Sequence, residues 1–257
     1  MKNPRYQYQY ALPNWGEAGQ TRIGNSHVVV VGAGGLGSNI VPMLARIGVG
    51  QITIIDDDRV ELSNLHRQTF TNNDARSGVY KVQALAELCR SIDPDVIVNP
   101  LIDRLNDKNI HGHLGLADLI LDGLDNWETR YLINDYAIKR GKPYVYGAVS
   151  GLMGMVKTIL PKTKDGNTPW EQAGVITADL RKTFGYLHEK QGSKPRHPAK
   201  ALNDLPGVLA PALPIVANLE VIEAMKILTG NYEAVNRNLV SLNAWKSEWR
   251  PVAVNVE

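Results

Sequence analysis

The chain has a single cysteine, Cys89, among 257 residues, so any chemistry that relays through a thiol has one candidate. Cys89 falls in an apolar helical pattern, where a thiol is ordinarily inert filling. Net charge is also small: 28 basic against 26 acidic residues leave +2, too slight a surplus to argue for nucleic acid as a partner. No apolar run approaches the ~20 residues that span a bilayer, and the opening stretch, MKNPRYQYQY, lacks the apolar core of a signal peptide. The expectation is a cytoplasmic protein without a membrane segment. Internal repeats and low-complexity tracts are absent too. With 44% hydrophobic residues, a chain of this length can bury a full core.

What is present is a run of strands alternating with helices. His27 to Val31 is a β-branched run of the kind buried on both faces of a sheet, and it leads into Gly32, Gly34, Gly35 and Gly37. Glycine there permits a tight turn and lets bare N–H groups approach an anionic phosphate at the positive end of the helix dipole. Taken alone, Gly32-x-Gly34-x-x-Gly37 is a weak signal, because such turns serve many nucleotides and some only pack a helix on a strand. The next strand, Gln51 to Ile55, ends in Asp56, Asp57 and Asp58, roughly 20 residues past the last glycine, where a carboxylate can accept from a ribose hydroxyl. Asp56 fits NAD, FAD or ATP equally. Asp57 reads as a solvated strand end.

Further strands are expected at Asp95, Ala117 and Pro143, and helices from near Leu36, Val79, Asn106 and Trp127. This alternation implies a parallel sheet with right-handed crossovers. Pro42, inside the first of these helices, is expected to remove one backbone hydrogen bond and bend it. After Gly147 the pattern changes. Met153 to Leu160 alternates like an antiparallel strand, and a long excursion follows. A helix from Leu213 to Leu228, apolar nearly all round, then precedes two short strands near Arg237 to Leu242 and Arg250 to Val256. The fold class expected is α/β: a Rossmann-like, doubly wound, mostly parallel sheet continued by antiparallel strands, with a long crossover excursion. The expected division is one domain over 1–257, with an N-terminal arm (1–26), a nucleotide-binding half (27–147) and an antiparallel, acceptor-binding half (148–257). The last carries a mobile excursion at 161–207.

The choice among nucleotides turns on Ser63-Asn64-Leu65-His66-Arg67-Gln68, on Lys81, and on Leu121-Asp122-Gly123-Leu124-Asp125-Asn126-Trp127-Glu128-Thr129-Arg130. With these the chain resembles the ThiF/MoeB/HesA superfamily of adenylating enzymes, relatives of the ubiquitin-activating enzymes. The resemblance runs from about Gly19 to Gly230. Gly207-Val-Leu-Ala-Pro-Ala, leading into Leu219-Glu-Val-Ile-Glu-Ala-Met-Lys226, is a further matching block. Only the stretch between about Pro161 and Leu205 has no counterpart.

Chemically the cluster suits attack of a carboxylate on the α-phosphate of ATP, giving an acyl adenylate and pyrophosphate. Such a site needs cations aimed at oxygens that gain charge in the transition state. Arg67 offers a planar fork and Lys81 a flexible point charge; Asp125 is a hard oxygen ligand for Mg2+. Each has a plainer reading. An isolated Arg or Lys is usually solvated, Asp125-Asn126 can cap the helix that begins near Trp127, and His66 reads as a loop histidine. Arg130 is either an orienter behind the site or a first-turn helix residue. The resemblance implies Asp56 on the ribose, Asn64, Arg67, Gln68 and Lys81 around the phosphates, and Asp125 at the metal. Gly32, Gly34, Gly35, Gly37, Asp58 and Asn126 complete the nucleotide site. It also implies ATP and Mg2+, a homodimer, and a substrate carboxylate on a ubiquitin-like sulfur carrier or a peptide precursor. The alternatives are an NAD-dependent oxidoreductase and an inactive partner subunit of an activating enzyme.

The departures from the family carry their own expectations. Many members hold zinc with two Cys-x-x-Cys pairs; here those stretches read Pro169-Trp170-Glu171-Gln172 and Ala244-Trp245-Lys246-Ser247, so no structural zinc is expected. Trp170, Trp245 and Trp249 are expected to replace it with aromatic packing. A family arginine that reaches the partner subunit's ATP has Tyr8 in its place, leaving Arg5 or Arg22 as substitutes. No loop cysteine exists for a covalent relay. The excursion carries eight lysines and arginines against five acidic residues, which suits either an acidic substrate tail or closure over ATP; His188 and His197 within it read as loop histidines.

Overall fold

The computed structural model describes residues 3–184 and 207–254. In chain order the helices and strands are α1 (Gln7–Tyr10), α2 (Gly16–Gly24), β1 (His27–Val31), α3 (Gly37–Ile47), β2 (Gln51–Ile55), α4 (Asn72–Ser77), α5 (Lys81–Ile92) and β3 (Ile97–Leu101). Then come α6 (Ile110–Leu114), β4 (Leu119–Asp122), α7 (Trp127–Arg140), β5 (Tyr144–Ser150), β6 (Met153–Ile159), α8 (Pro169–Gln172), α9 (Ala212–Leu228), β7 (Leu239–Asn243) and β8 (Glu248–Val252). Among the described residues the strands form one sheet in the order β3-β2-β1-β4-β5-β6-β7-β8. β1 to β5 are parallel, and β6, β7 and β8 continue the sheet antiparallel. β1 lies between β2 and β4, so consecutive crossovers leave it in opposite directions. A crevice therefore opens beyond the carboxyl ends of β1 and β4, the place where open α/β sheets bind ligands.

Both faces of the sheet are covered, which explains the unbroken apolar character of β1. Val28 and Val30 face α3, α5 and α9 in one core, while Val29 and Val31 face α6 and α7 in the other. α3 runs through Pro42 to Ile47. Proline has no N–H for the carbonyl four residues earlier, that of Ser38; this oxygen instead accepts from the Thr69 hydroxyl at 2.6 Å.

The start of the excursion is laid onto the sheet rather than left as a loose flap from residue 161. The Trp170 indole donates to Pro161 O at 2.9 Å. Leu160 N donates to Thr177 Oγ1 at 2.8 Å, and that hydroxyl donates to Thr158 O at 2.8 Å. Val175, Ala178, Leu180 and Phe184 are buried. The rest of the excursion, with His188, His197, Lys190, Lys194, Arg196 and Lys200, lies outside the described residues. The chain rejoins at Gly207 beside the β5–β6 turn, where Leu209 N donates to Gly151 O at 2.9 Å.

The expectation of a three-tryptophan replacement for zinc is corrected. Trp170 is buried, with its ring 6.3 Å from that of Tyr232. Trp245 and Trp249 are 73% and 48% exposed, because one sits in the β7–β8 turn and the other on the edge strand β8. Glu171 does the fixing around α8: it accepts from Thr163 N at 2.8 Å and from the Thr163 and Thr168 hydroxyls at 2.6 Å. These bonds, led by that of Thr163, hold its carboxyl down at about 2. No described helix is long and apolar enough to cross a membrane.

Candidate active site

The glycine turn divides into two jobs. Gly32 has φ +94°, a region only glycine enters freely, and a Cβ there would meet Gly123 O at 2.5 Å. A Cβ on Gly37 would run into the Gly32 carbonyl, so Gly37 lets α3 pack on the end of β1 and does not line the crevice. Gly34 and Gly35 do line it. At Gly34 the nearest obstacle to a Cβ is Gly123 O at 3.7 Å.

The crevice holds a cavity of about 340 Å³ whose wall includes Gly34, Gly35, Asn64, Arg67, Gln68, Lys81 and Asp125. Arg67, Lys81 and Asp125, separated by up to 58 positions in the chain, thus face one space. A second cavity of about 980 Å³ shares Gly32, Asp56, Asp58, Leu124 and Asp125 with it, and continues along Asp103, Arg104, Leu105, Asn126 and Leu132.

Asp56 is tied into the turn: its carboxylate accepts from Ala33 N at 2.7 Å and Asp58 N at 2.8 Å. Burial pushes its carboxyl up, against these backbone bonds. Lys81 is buried at the first position of α5, where a cation opposes the helix dipole. Its Nζ lies 2.7 Å from Oδ2 of Asp58. Arg67 Nη1 donates to Ser63 O at 2.9 Å. Asn64 Oδ1 accepts from Glu61 N at 3.1 Å and is buried. Gln68 is buried as well, and its Oε1 has no partner among the described residues. Asp125 is exposed and makes no hydrogen bond or ion pair among them. Asn126 caps α7 by accepting from Thr129 N at 3.0 Å and lines only the larger cavity.

Behind this wall is a buried polar cluster of which the sequence offered only Arg130 as a candidate. Arg130 Nε donates to Asp122 Oδ2 at 3.0 Å, and Nη2 donates to Leu124 O at 2.6 Å and Gly147 O at 2.9 Å. Asp122 also accepts from Tyr144 OH at 2.7 Å and from Leu124 N at 2.8 Å. The residue preceding Asp125 is therefore held at both its N–H and its carbonyl. Burial works against the charge of Arg130, and Asp122 together with Tyr146 and Tyr144 outweighs it. Glu220, from α9, is wholly buried beside this pair; among the described residues neither carboxyl oxygen has a hydrogen bond of good geometry, although the Asp122 N–H lies close enough to favour its charge. Glu220 occupies the space a Cβ on Gly147 would need. Burial, with Asp122 nearby, raises its carboxyl well above the ordinary 4.5. Glu220, buried in a helix that is apolar nearly all round, was the available signal.

The arginines expected to reach a partner's site are engaged within their own chain. Arg5 pairs with Asp93 at 3.2 Å and donates to Ile92 O at 2.7 Å. Arg22 donates to Thr229 O at 2.5 Å.

A doubly wound sheet with a glycine turn, a strand-end carboxylate and a buried cation at its switch point defines a nucleotide-binding α/β protein. Residues 6–257 match the model of the ThiF family, and the chain belongs to that family. It is 36% identical over 245 residues to the "Sulfur carrier protein ThiS adenylyltransferase" of Bacillus subtilis, covering 95% of this chain and 66% of that one. It is 40% identical over 157 residues to the "SAMP-activating enzyme E1" of Haloferax volcanii, covering 61% and 58%. It is 34% identical over 251 residues to the "Sulfur carrier protein adenylyltransferase" of Thermus thermophilus, covering 97% and 86%. The chain thus spans less than two thirds of the first two. Among solved structures, E. coli MccB with AMPCPP and MccA superimposes with a TM-score of 0.78 over 100% of this chain and 73% of that one. At 19% identity that likeness shows the fold.

Proposed function

We propose that this protein uses ATP to adenylate a carboxylate, releasing pyrophosphate. The observation that carries the reading is the meeting of Arg67, Lys81 and the unengaged Asp125 on one cavity that joins a larger one at Asp56. A dehydrogenase has no use for that set. In this reading the larger cavity takes the adenosine, with Asp56 accepting from a ribose hydroxyl, and the smaller takes the phosphates against Gly34 and Gly35. The orphaned, buried Oε1 of Gln68 is an acceptor and fits a ligand that brings a donor, such as a hydroxyl, and not a phosphate oxygen. Lys81 exchanges Asp58 for phosphate oxygens, and Arg67 forks onto the same chain of phosphates. Asp125 would hold Mg2+, which supplies charge neutralisation at the phosphates. A carboxylate oxygen attacks the α-phosphorus, its bond to the bridging oxygen breaks, and pyrophosphate leaves with the electron pair.

The names of the relatives favour the carboxyl terminus of a small sulfur carrier as substrate, and the fold likeness to MccB keeps a peptide in view. Cys89 is fully buried, and burial pushes its thiol up to about 12. The acyl adenylate therefore passes on without a cysteine of this chain. The test is exchange of labelled pyrophosphate into ATP with candidate carboxylates. Exchange that is lost in Lys81→Ala and Asp125→Ala variants supports the reading; no exchange with any candidate, together with tight NAD binding, replaces it with an oxidoreductase.

A further inference from the structure

The Ser63–Gln68 segment brings Asn64, Arg67 and Gln68 to the cavity, yet it is a loop, and loops hold side chains only as firmly as their ends are fixed. One end is fixed by Asn64 and Glu61, the other by Phe70, which is buried in the main core. Between Gln68 and Phe70 stands Thr69, an exposed residue whose polar atoms turn back onto helix α3. Its hydroxyl donates to Ser38 O at 2.6 Å, and its N–H points at Ser38 Oγ at 3.4 Å. Ser38 is completely buried and lies in the first turn of α3, with its own N–H on Gly34 O at 2.9 Å. In an ordinary helix the Ser38 carbonyl would accept from residue 42. Residue 42 is Pro42, so that acceptor is released for a partner from outside the helix.

We propose that Thr69 is a positioning residue for nucleotide binding: the carbonyl that Pro42 releases anchors Thr69 to the glycine turn and sets Arg67 and Gln68 in register with Gly34 and Gly35. The inference rests on the reading of this cavity as the phosphate site. It makes Pro42, an oddity as a helix residue, half of a two-part clamp. A tether that merely satisfies a buried carbonyl and one that places Arg67 and Gln68 differ in a measurable way. Pro42→Ala returns an N–H to Ser38 O, so the carbonyl stays satisfied even when the hydroxyl of Thr69 is removed.

The experiment is calorimetric titration of ATP and of adenosine into wild type, Thr69→Val, Thr69→Ser, Pro42→Ala and the Pro42→Ala/Thr69→Val double variant, with a melting curve for each. The expected result is a loss of ATP affinity of about fivefold in Thr69→Val, the factor that one net hydrogen bond carries. The same loss should persist in the double variant although its melting temperature recovers, with adenosine affinity unchanged throughout and Thr69→Ser like wild type. A double variant that binds ATP as wild type does would overturn the positioning role and leave the site reading intact, as would equal losses for ATP and adenosine. Wild type that binds adenosine but gains nothing from the phosphates overturns the site reading and this inference together.

Discussion

Replacing Glu220 with glutamine should stabilise the protein, and by an amount that grows with pH. The carboxyl is fully buried, the Asp122 N–H and Arg130 do too little to hold its charge, and its value lies well above the ordinary 4.5 because burial disfavours the charge. The folded protein therefore keeps a proton that the unfolded chain has already released. Stability from this group is fully present below about pH 4.5 and is lost as pH rises toward the raised folded value. Within that window each pH unit costs about 1.4 kcal/mol. In a chain of this size each such unit is a fall in melting temperature of roughly 3–6 °C from one residue. Glutamine fills the same space and cannot ionise. Urea denaturation of both proteins at pH 5, 6, 7 and 8 should give a stability difference that climbs with pH on that slope while m stays constant. A difference that is flat across the series would mean that attraction to Arg130 outweighs burial and keeps Glu220 ionised, which would refute the argument.

Lys81→Met should abolish pyrophosphate exchange yet leave the stability measured in urea unchanged or raised by about 0.5 kcal/mol, since the ammonium opposes the dipole of α5; a clear loss of stability would mean that its pairing with Asp58 matters more. Gly37→Ala should cost about 3 kcal/mol, the upper end for overpacking, because its methyl meets the Gly32 carbonyl. Gly34→Ala should fold normally and bind ATP less tightly, and equal melting temperatures for the two alanine variants would erase the distinction drawn between the glycines. Cys89→Ser should keep full exchange activity, and metal analysis with chelator treatment should find no zinc and no change in melting temperature, as α8 is held by Glu171, Thr163 and Thr168.

Most of the sheet was legible because β1, β2 and β4 are buried on both faces and read as apolar runs, and because a strand followed by glycines and then a helical pattern has few other meanings. The side chains at strand ends, Asp56 and Asp125, followed from the same geometry. What the sequence hid depends on contacts between distant segments. Arg130 was visible as a helix residue, but its purpose needs Asp122 from β4 and the carbonyl of Gly147 from β5 at once. Glu220 was lost in a helix that reads as apolar on every side. Trp245 and Trp249 were assigned to packing on hydrophobicity alone, and an edge strand and its turn give such residues nothing to pack on. For Arg5 and Arg22 a charge pattern does not reveal the Asp93 carboxylate and the Thr229 carbonyl that bind them within the chain.

The two feet of the excursion are fastened independently of whatever lies between them: one by the Leu160–Thr177 and Trp170–Pro161 bonds, the other by Gly151 and Leu209. A segment clamped at both ends behaves as an exchangeable cassette, because closing it at twice the length adds only about 0.6 kcal/mol of entropy cost. Val208, part of the second foot, is itself on the wall of the smaller cavity. Evolution or an engineer can therefore swap the intervening stretch for another, and the replacement will rejoin the fold beside the smaller cavity with the sheet left untouched.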